Sequence, residues 1–309
     1  MRVILAAPRG FCAGVNMAIE ALTLAIETYG TPVYAYHEIV HNTWVVEQFR
    51  QQGVIFVNDL AEVPEGVPLL YSAHSVPPAI RRQAAERHLL TIDATCPLVT
   101  KVHREAIHFA EQGYTILLIG HAGHDEVVGT TGEAPQAMRL VESVADADRV
   151  DVPDPAKVAY LTQTTLSIDD AARIIEHLRQ RFPHIVGPTQ ADICYATQNR
   201  QEAVRLLAAE SDVVLVVGSQ NSSNSQRLVE LARSCGVAAR PIDGPDDIDL
   251  GWFTGQETVT ITAGASAPET LVQDCAKRLR ERFAASIETR TIRPEQLRFA
   301  LPKPLRKPS

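Results

Sequence analysis

No stretch of this 309-residue chain approaches the ~20 consecutive apolar side chains that cross a bilayer, so no membrane span is expected. The opening MRVILAAPRGF has too short an apolar run for a secretory signal. It also lacks the Arg- and Ser-rich character of a transit peptide, so the expected location is a bacterial-type cytoplasm. There is no Walker loop and no GxGxxG after a strand, which removes the usual signatures of nucleotide and nicotinamide chemistry. Neither a CxxC, nor a close Cys/His pair of the zinc-finger kind, nor the CxxCxxC run of a small ferredoxin occurs. Positive charge is short as well: 29 Lys and Arg stand against 37 Asp and Glu, a net charge of −8. That excludes a broad phosphate-coating face for nucleic acid but leaves room for a local anion site. The five cysteines are an odd number spread over a long chain, not a disulfide framework. Their chemistry is metal binding, nucleophilic attack or packing.

What is present is ordinary for a globular protein, with 45% hydrophobic and 21% charged residues. Length alone suggests about two domains. Short apolar runs, VPLLYSA, LLTIDA, YTILLIG, KVAYLT, DVVLVVG and ETVTITA, alternate with amphipathic patterns over Leu98 to Gln112, Asp169 to Phe182, Gln198 to Ala209 and Ala267 to Phe283. That rhythm predicts an α/β fold of parallel strands covered by helices. Each strand run breaks into a small polar stretch before the next helix: SAHSVPP, DATCPLV, GHAGHDE, TQTTLS, GSQNSSNS and TAGASAPE. In open parallel sheets, ligands bind beyond the carboxyl ends of the strands, where helix N-termini offer free N–H groups. VPEGVP and DVPDPAK read as turns, and the Pro-rich, basic LPKPLRKPS as a poorly ordered tail.

Three cysteines share one context. Cys12 in PRGFCAGV, Cys96 in DATCPLV and Cys194 in DICYAT each stand where an extended segment turns into a helix. They lie 84 and 98 residues apart, close to the size of a small α/β unit, and this outweighs the two-domain length estimate. The resulting division is an N-terminal strand and Cys12 loop (1–13), α/β domains over 14–96, 97–193 and 194–283, and a C-terminal tail (284–309). A helix N-terminus stabilises a thiolate, the metal-binding form. Three thiolates meeting at one point would demand a cation, and they are one short of the usual set for a cubane iron–sulfur cluster. The fourth iron would stay open, a Lewis acid beside a source of single electrons, suited to reductive removal of a hydroxyl group. Cys235, at a helix end, and Cys275, inside a helix, read as structural.

The polar loops add His41, His74 and His124, the hydroxyls of Ser222, Ser223 and Ser266, and the amide of Asn224, a set suited to phosphate or diphosphate. Each histidine equally fits a hydrogen-bonded structural residue, and each serine or asparagine a helix cap.

These segments resemble a known family. PRGFCAGV, HNTWVV, SAHSVPP, DATCPLVTKVH, GHAGHDEVVGT, TQTTLS, NSSNSQRL and GASAPE are similar, in order over residues 1 to 285, to the bacterial 4-hydroxy-3-methylbut-2-enyl diphosphate reductases, called IspH or LytB. The resemblance implies a pseudo-threefold trefoil of three small α/β domains around a [4Fe–4S] cluster held by Cys12, Cys96 and Cys194, with one open iron. It implies two-electron reductive dehydroxylation of an allylic diphosphate to isopentenyl and dimethylallyl diphosphates, the last step of the non-mevalonate isoprenoid route. Electrons would come from an external donor such as flavodoxin or ferredoxin. The diphosphate would lie among His41, His74, His124, Ser222, Ser223, Asn224 and Ser266, with Thr164 near the substrate hydroxyl and Glu126 as proton donor. A carboxyl beside an anionic ligand should have a raised pKa. The residue between His124 and Glu126 is often proline in the family; Asp125 departs from that form and is the rival proton carrier. Two other classes remain open on the residues: a non-catalytic phosphate-ligand or redox-sensing protein holding zinc or a cluster, and a hydrolase or isomerase with one cysteine nucleophile and His124 as base.

Overall fold

Runs such as ILLI and VVLVV are apolar at every position, which only a strand covered on both faces can bury. In the computed structural model, which describes residues 1–306, such runs form the middles of parallel sheets. The elements follow in the order β1 (Arg2–Ala7), α1 (Ala13–Tyr29), β2 (Val33–Tyr36), α2 (Thr43–Gln51), β3 (Val54–Val57), β4 (Pro68–Tyr71), α3 (Pro78–Glu86), β5 (Leu90–Asp93), α4 (Pro97–Glu111), β6 (Thr115–Ile119), α5 (Asp125–Glu133), β7 (Met138–Val141), α6 (Val144–Arg149), β8 (Val158–Thr162), α7 (Ile168–Arg181), α8 (Tyr195–Ala208), β9 (Val213–Val217), α9 (Ser223–Ser234), β10 (Ala238–Ile242), β11 (Thr258–Ala263), α10 (Glu269–Phe283) and β12 (Ser286–Thr291). No helix among the described residues is long and apolar enough to cross a membrane.

The chain forms two compact units. The first comprises residues 1–16, 40–49 and 195–298 and is built on one parallel sheet in the order β10-β9-β11-β1-β12. Strand β9 shows how it is covered: Leu215 and Val217 pack on one face with Val272 and Leu279 of α10, while Val214 and Val216 pack on the other with Leu228 and Val229 of α9. The second unit comprises residues 17–39, 50–194 and 299–309 and holds two parallel sheets, β3-β2-β4-β5 and β7-β6-β8. In β6, Leu117 and Ile119 face Ile174 and Leu178 of α7, and Ile116 and Leu118 face Val102 and Ala106 of α4. Three small parallel α/β sheets are therefore present, the fold class that the βα rhythm and the family resemblance both imply.

Two segment assignments change. The N-terminal strand belongs to the sheet of residues 213–291, because β1 lies between β11 and β12. The stretch from residue 284 onward, expected to be a tail, first supplies β12, paired with β1 from Arg2↔Ser286 to Ala7↔Thr291. It then delivers Glu295 to the buried Arg200 of α8, whose Nη1 lies 3.1 Å from Glu295 Oε1. Only part of the Pro-rich end is described, a short 3-10 turn at Lys303–Leu305; residues 307–309 lie outside the described residues.

Arg200 also donates from Nη2 to Gly10 O at 2.7 Å, in the loop that leads to Cys12. Removing one partner of a buried ion pair leaves the other without compensation. Arg200→Ala is therefore expected to lower the unfolding free energy by ~3–5 kcal/mol, read as a shift of the urea midpoint at unchanged slope.

Candidate functional site

Within the second unit, the carboxyl ends of β4, β5, β6 and β8 feed loops that carry His74, Cys96, His124 and Thr164. Cys96 is the N-cap of α4 and makes no side-chain capping bond. Its backbone N–H donates to Ala73 O at 2.9 Å, tying the thiol's loop to the His74 turn. His124 is the N-cap of α5, its Nδ1 accepting from Glu126 N–H at 3.2 Å. A nitrogen that accepts carries no proton, so the neutral His124 ring keeps its proton on Nε2. The His74 and His124 rings meet edge to face with centroids 5.7 Å apart.

Glu126, in the first turn of α5, is 1% exposed. Thr164 holds it twice: the backbone N–H donates to Oε1 at 2.6 Å and the hydroxyl to Oε2 at 3.0 Å. Burial pushes the Glu126 carboxyl up to about 7; the bonds from Thr164 oppose this, and the charge of Asp192 adds to it. Thr164 O in turn accepts from Cys194 N–H at 3.0 Å. The Glu126 carboxyl, the Thr164 loop and the backbone of Cys194 are thus joined by consecutive hydrogen bonds.

Asp125, the rival carboxyl, has an oxygen within 4.8 Å of a His74 ring nitrogen and is also bonded to His37. Its Oδ1 lies 2.8 Å from His37 Nδ1, and this bond is the largest cause raising the His37 pKa. The Asp125 carboxyl is thus tied to His37, whereas the Glu126 carboxyl is held by Thr164. The same unit contains Asp192, which has no side-chain exposure and which the sequence reading passed over. Its Oδ1 accepts from Lys101 Nζ at 2.6 Å and its Oδ2 from Thr162 N–H at 2.9 Å. Its position two residues before Cys194 was the one available signal.

Within the first unit, Cys12 links β1 to α1, with its N–H donating to Ala265 O at 3.2 Å. The loop after β11 is the organiser here. Ser266 Oγ donates to His41 O at 2.9 Å and lies 3.5 Å from Ser222 Oγ. Ser222 caps α9, accepting from Ser225 N–H at 3.3 Å, and Ser223 opens that helix. Asn224, 4% exposed, accepts from Ala265 N–H at 3.0 Å and donates to Thr197 Oγ1 at 3.2 Å, so its amide anchors the loop whatever else it touches. Ser225, also missed, fits only because Gly218 and Gly264 close β9 and β11: a Cβ at those positions would stand 2.2 and 2.0 Å from its Oγ.

All five cysteines are free thiols. Cys12, Cys96 and Cys194 are each partly exposed and each directly precede a helix, whereas Cys275 is buried in α10, where burial pushes its thiol up to about 12, and Cys235 caps the C-terminus of α9. Three thiols at helix starts fit soft iron–sulfur ligation; the other two do not.

A family model described as LytB protein matches residues 3–280. A 4-hydroxy-3-methylbut-2-enyl diphosphate reductase of Rhodopirellula baltica is 60% identical over 306 residues, covering 99% of this chain and 96% of that protein. The solved structure of the E-1-hydroxy-2-methyl-but-2-enyl-4-diphosphate reductase from Plasmodium falciparum is similar with a TM-score of 0.96 at 39% identity, covering 98% of this chain and 96% of that one. A second solved structure, of an (E)-4-hydroxy-3-methyl-but-2-enyl diphosphate reductase described as the terminal enzyme of the non-mevalonate pathway, matches with a TM-score of 0.65 at 30% identity over 91% of this chain and all of that one.

The raised Glu126 pKa has a thermodynamic consequence. A carboxyl raised from 4.5 to about 7 contributes stability that is fully present below pH 4.5 and lost as pH rises through 7. Glu126→Gln, neutral throughout, escapes this loss. Between pH 5 and pH 8, the unfolding free energy of the wild type is expected to fall relative to the variant by on the order of 3 kcal/mol, measurable by urea titration at several pH values.

Proposed function

This chain belongs to the LytB protein family, and we propose that it converts (E)-4-hydroxy-3-methylbut-2-enyl diphosphate to isopentenyl and dimethylallyl diphosphates by two-electron reductive dehydroxylation. It is an oxidoreductase of the non-mevalonate isoprenoid route. The balance is simple: the allylic C–O bond breaks, two electrons and two protons enter, and the oxygen leaves as water.

The observation that carries the residue-level reading is the Glu126–Thr164 pair, a fully buried carboxyl that keeps its proton to about pH 7 and is aimed by two hydrogen bonds. In our reading, Glu126 delivers the proton that lets the hydroxyl depart as water, and the Thr164 hydroxyl, its hydrogen-bond partner, lies near the substrate hydroxyl. A general acid works best when its pKa lies close to the working pH. His41, His74, His124, Ser222, Ser223, Asn224 and Ser266 bind the diphosphate, with the N-termini of α5 and α9 adding N–H groups and positive dipole ends. The thiolates of Cys12, Cys96 and Cys194 would hold a [4Fe–4S] cluster, which when bound would supply single electrons and a Lewis-acid site. The chain's own contribution is to present these thiols at helix starts and to shut water away from Glu126.

An external one-electron donor of the flavodoxin or ferredoxin class supplies the reducing equivalents, and the reaction runs in the cytoplasm, where thiols stay reduced. The non-catalytic alternative and the cysteine-nucleophile alternative differ in outcome. Anaerobically purified protein should be brown, and reduced viologen should drive conversion of the hydroxylated diphosphate. Cys96→Ser should lose both colour and turnover. Glu126→Gln should stay brown while turnover drops by ~10²–10⁴-fold, and the residual wild-type rate should decline as pH rises above about 7. A colourless wild type, or a brown one that binds substrate without converting it, would sink the reading.

A further inference from the structure

The turn that presents His74 is closed by a residue in an unfavourable conformation. Ser75 has φ +81°, in the left-handed region that costs a non-glycine residue ~1–2 kcal/mol. The turn around it is tight: Ser75 N–H donates to Ser72 O at 3.3 Å, and His74 N–H to Ser72 Oγ at 3.3 Å. Conformations of this kind persist where their surroundings over-determine them. Here the surroundings are a buried chain of hydrogen bonds. Ser75 Oγ lies 3.1 Å from His103 Nε2 on α4, and His103 Nδ1 lies 2.8 Å from Glu133 Oε1 at the end of α5. Arg81 of α3 pairs with the same Glu133 oxygen. Ser75 and His103 are each 4% exposed.

Burial lowers the His103 pKa, so its ring is neutral, with Nδ1–H donating to Glu133 and Nε2 accepting from the Ser75 hydroxyl. Serine, histidine and glutamate wired in this order have the connectivity of a nucleophile and its base. There is no room for an electrophile, however. Gly129 of α5 faces the serine so closely that a Cβ there would stand 2.2 Å from Ser75 Oγ and 3.4 Å from His103 Nε2. The chain cannot attack a substrate; it can hold a loop.

We infer that Ser75, His103 and Glu133 are positioning residues that lock the left-handed turn and so orient His74 toward the substrate diphosphate, with Gly129 supplying the space they need. The inference rests on His74 being a diphosphate ligand. Glu126 is aimed by Thr164 instead. The effect therefore falls on substrate binding and not on proton delivery.

The test uses the cluster-loaded protein, steady-state kinetics with the hydroxylated diphosphate, and inorganic pyrophosphate as a competitive probe. Ser75→Ala should raise both KM and the pyrophosphate inhibition constant by about ten-fold, or ~1.4 kcal/mol, with kcat changed less than about two-fold and the visible cluster absorption unaltered. Gly129→Ala should give the same signature, although alanine is the better helix former by ~1 kcal/mol and a purely structural role would leave KM unmoved. If Gly129→Ala does not fold, Ser75→Ala, which removes a single oxygen, still decides the matter. Unchanged KM and inhibition constant in Ser75→Ala, or a fall in kcat at constant KM, would overturn the inference. His74→Ala separates the two levels: if it weakens pyrophosphate while Ser75→Ala does not, the positioning role alone fails. If His74→Ala leaves pyrophosphate unaffected, the diphosphate reading fails and takes the inference with it.

Discussion

Every named ladder in this chain is parallel. A parallel ladder obliges each strand to be followed by a crossover, so within a sheet all carboxyl ends point to one edge and deliver their loops and helix N-termini there. The site residues follow from that constraint. In the second unit His74, Cys96, His124 and Thr164 come from four different strand ends of two sheets, and in the first unit Cys12, Ser222 and Ser266 come from the ends of β1, β9 and β11. The polar atoms of these loops bind one another before any ligand is considered, as when Ser266 reaches His41 O and Cys194 N–H reaches Thr164 O.

The second constraint is electrostatic. A carboxyl group taken out of water must lose its charge or find donors. Three acids of the second unit resolve this differently. Glu126 keeps its proton, because two hydrogen bonds from one residue do not repay complete burial. Asp125 pairs with His37. Asp192 is more deeply buried than Asp125, and the ammonium of Lys101 opposes the rise that burial imposes on it. Adjacent residues of one chemical type, Asp125 and Glu126, are thus divided into a paired carboxylate and a protonated acid by where α5 points each side chain. A change at position 125 need not compromise the acid next to it.

Sequence patterns located the central strands well, because TILLI, VVLVV and TVTITA carry long β-branched or leucine-rich runs that only a covered strand can bury. They did not locate β3, β7, β10 and β12, all of which lie at sheet edges. Polar residues mask two of them, since β10 reads AARPI, with a proline that a central strand could not hold, and β12 reads SIETRT, whereas β3 (VIFV) is apolar but only four residues long. The chain after residue 283 reads as a tail for that reason, although it supplies the edge strand β12 of the first sheet. Strand β2 was missed on length, with only VYAY to mark it. The candidate site was legible where residue type is itself the signal, as with a thiol at a strand-to-helix corner or a histidine in a polar loop. Residues that act on other residues, such as His103, Glu133 and Ser225, carry no local mark, since each lies on an amphipathic helix.

By itself, then, the amino-acid order determined the α/β class, the equivalence of Cys12, Cys96 and Cys194, and the family to which the loop motifs belong, because periodicity and local motif chemistry are properties of neighbours along the chain. Which acid keeps a proton, which histidine is an N-cap and which is a buried relay, and why Ser75 tolerates a left-handed backbone were decided only by tertiary structure. Those outcomes depend on desolvation and on hydrogen bonds between residues that the chain holds far apart, as with Glu126 and Thr164 or Ser75, His103 and Glu133, and no linear pattern records either quantity.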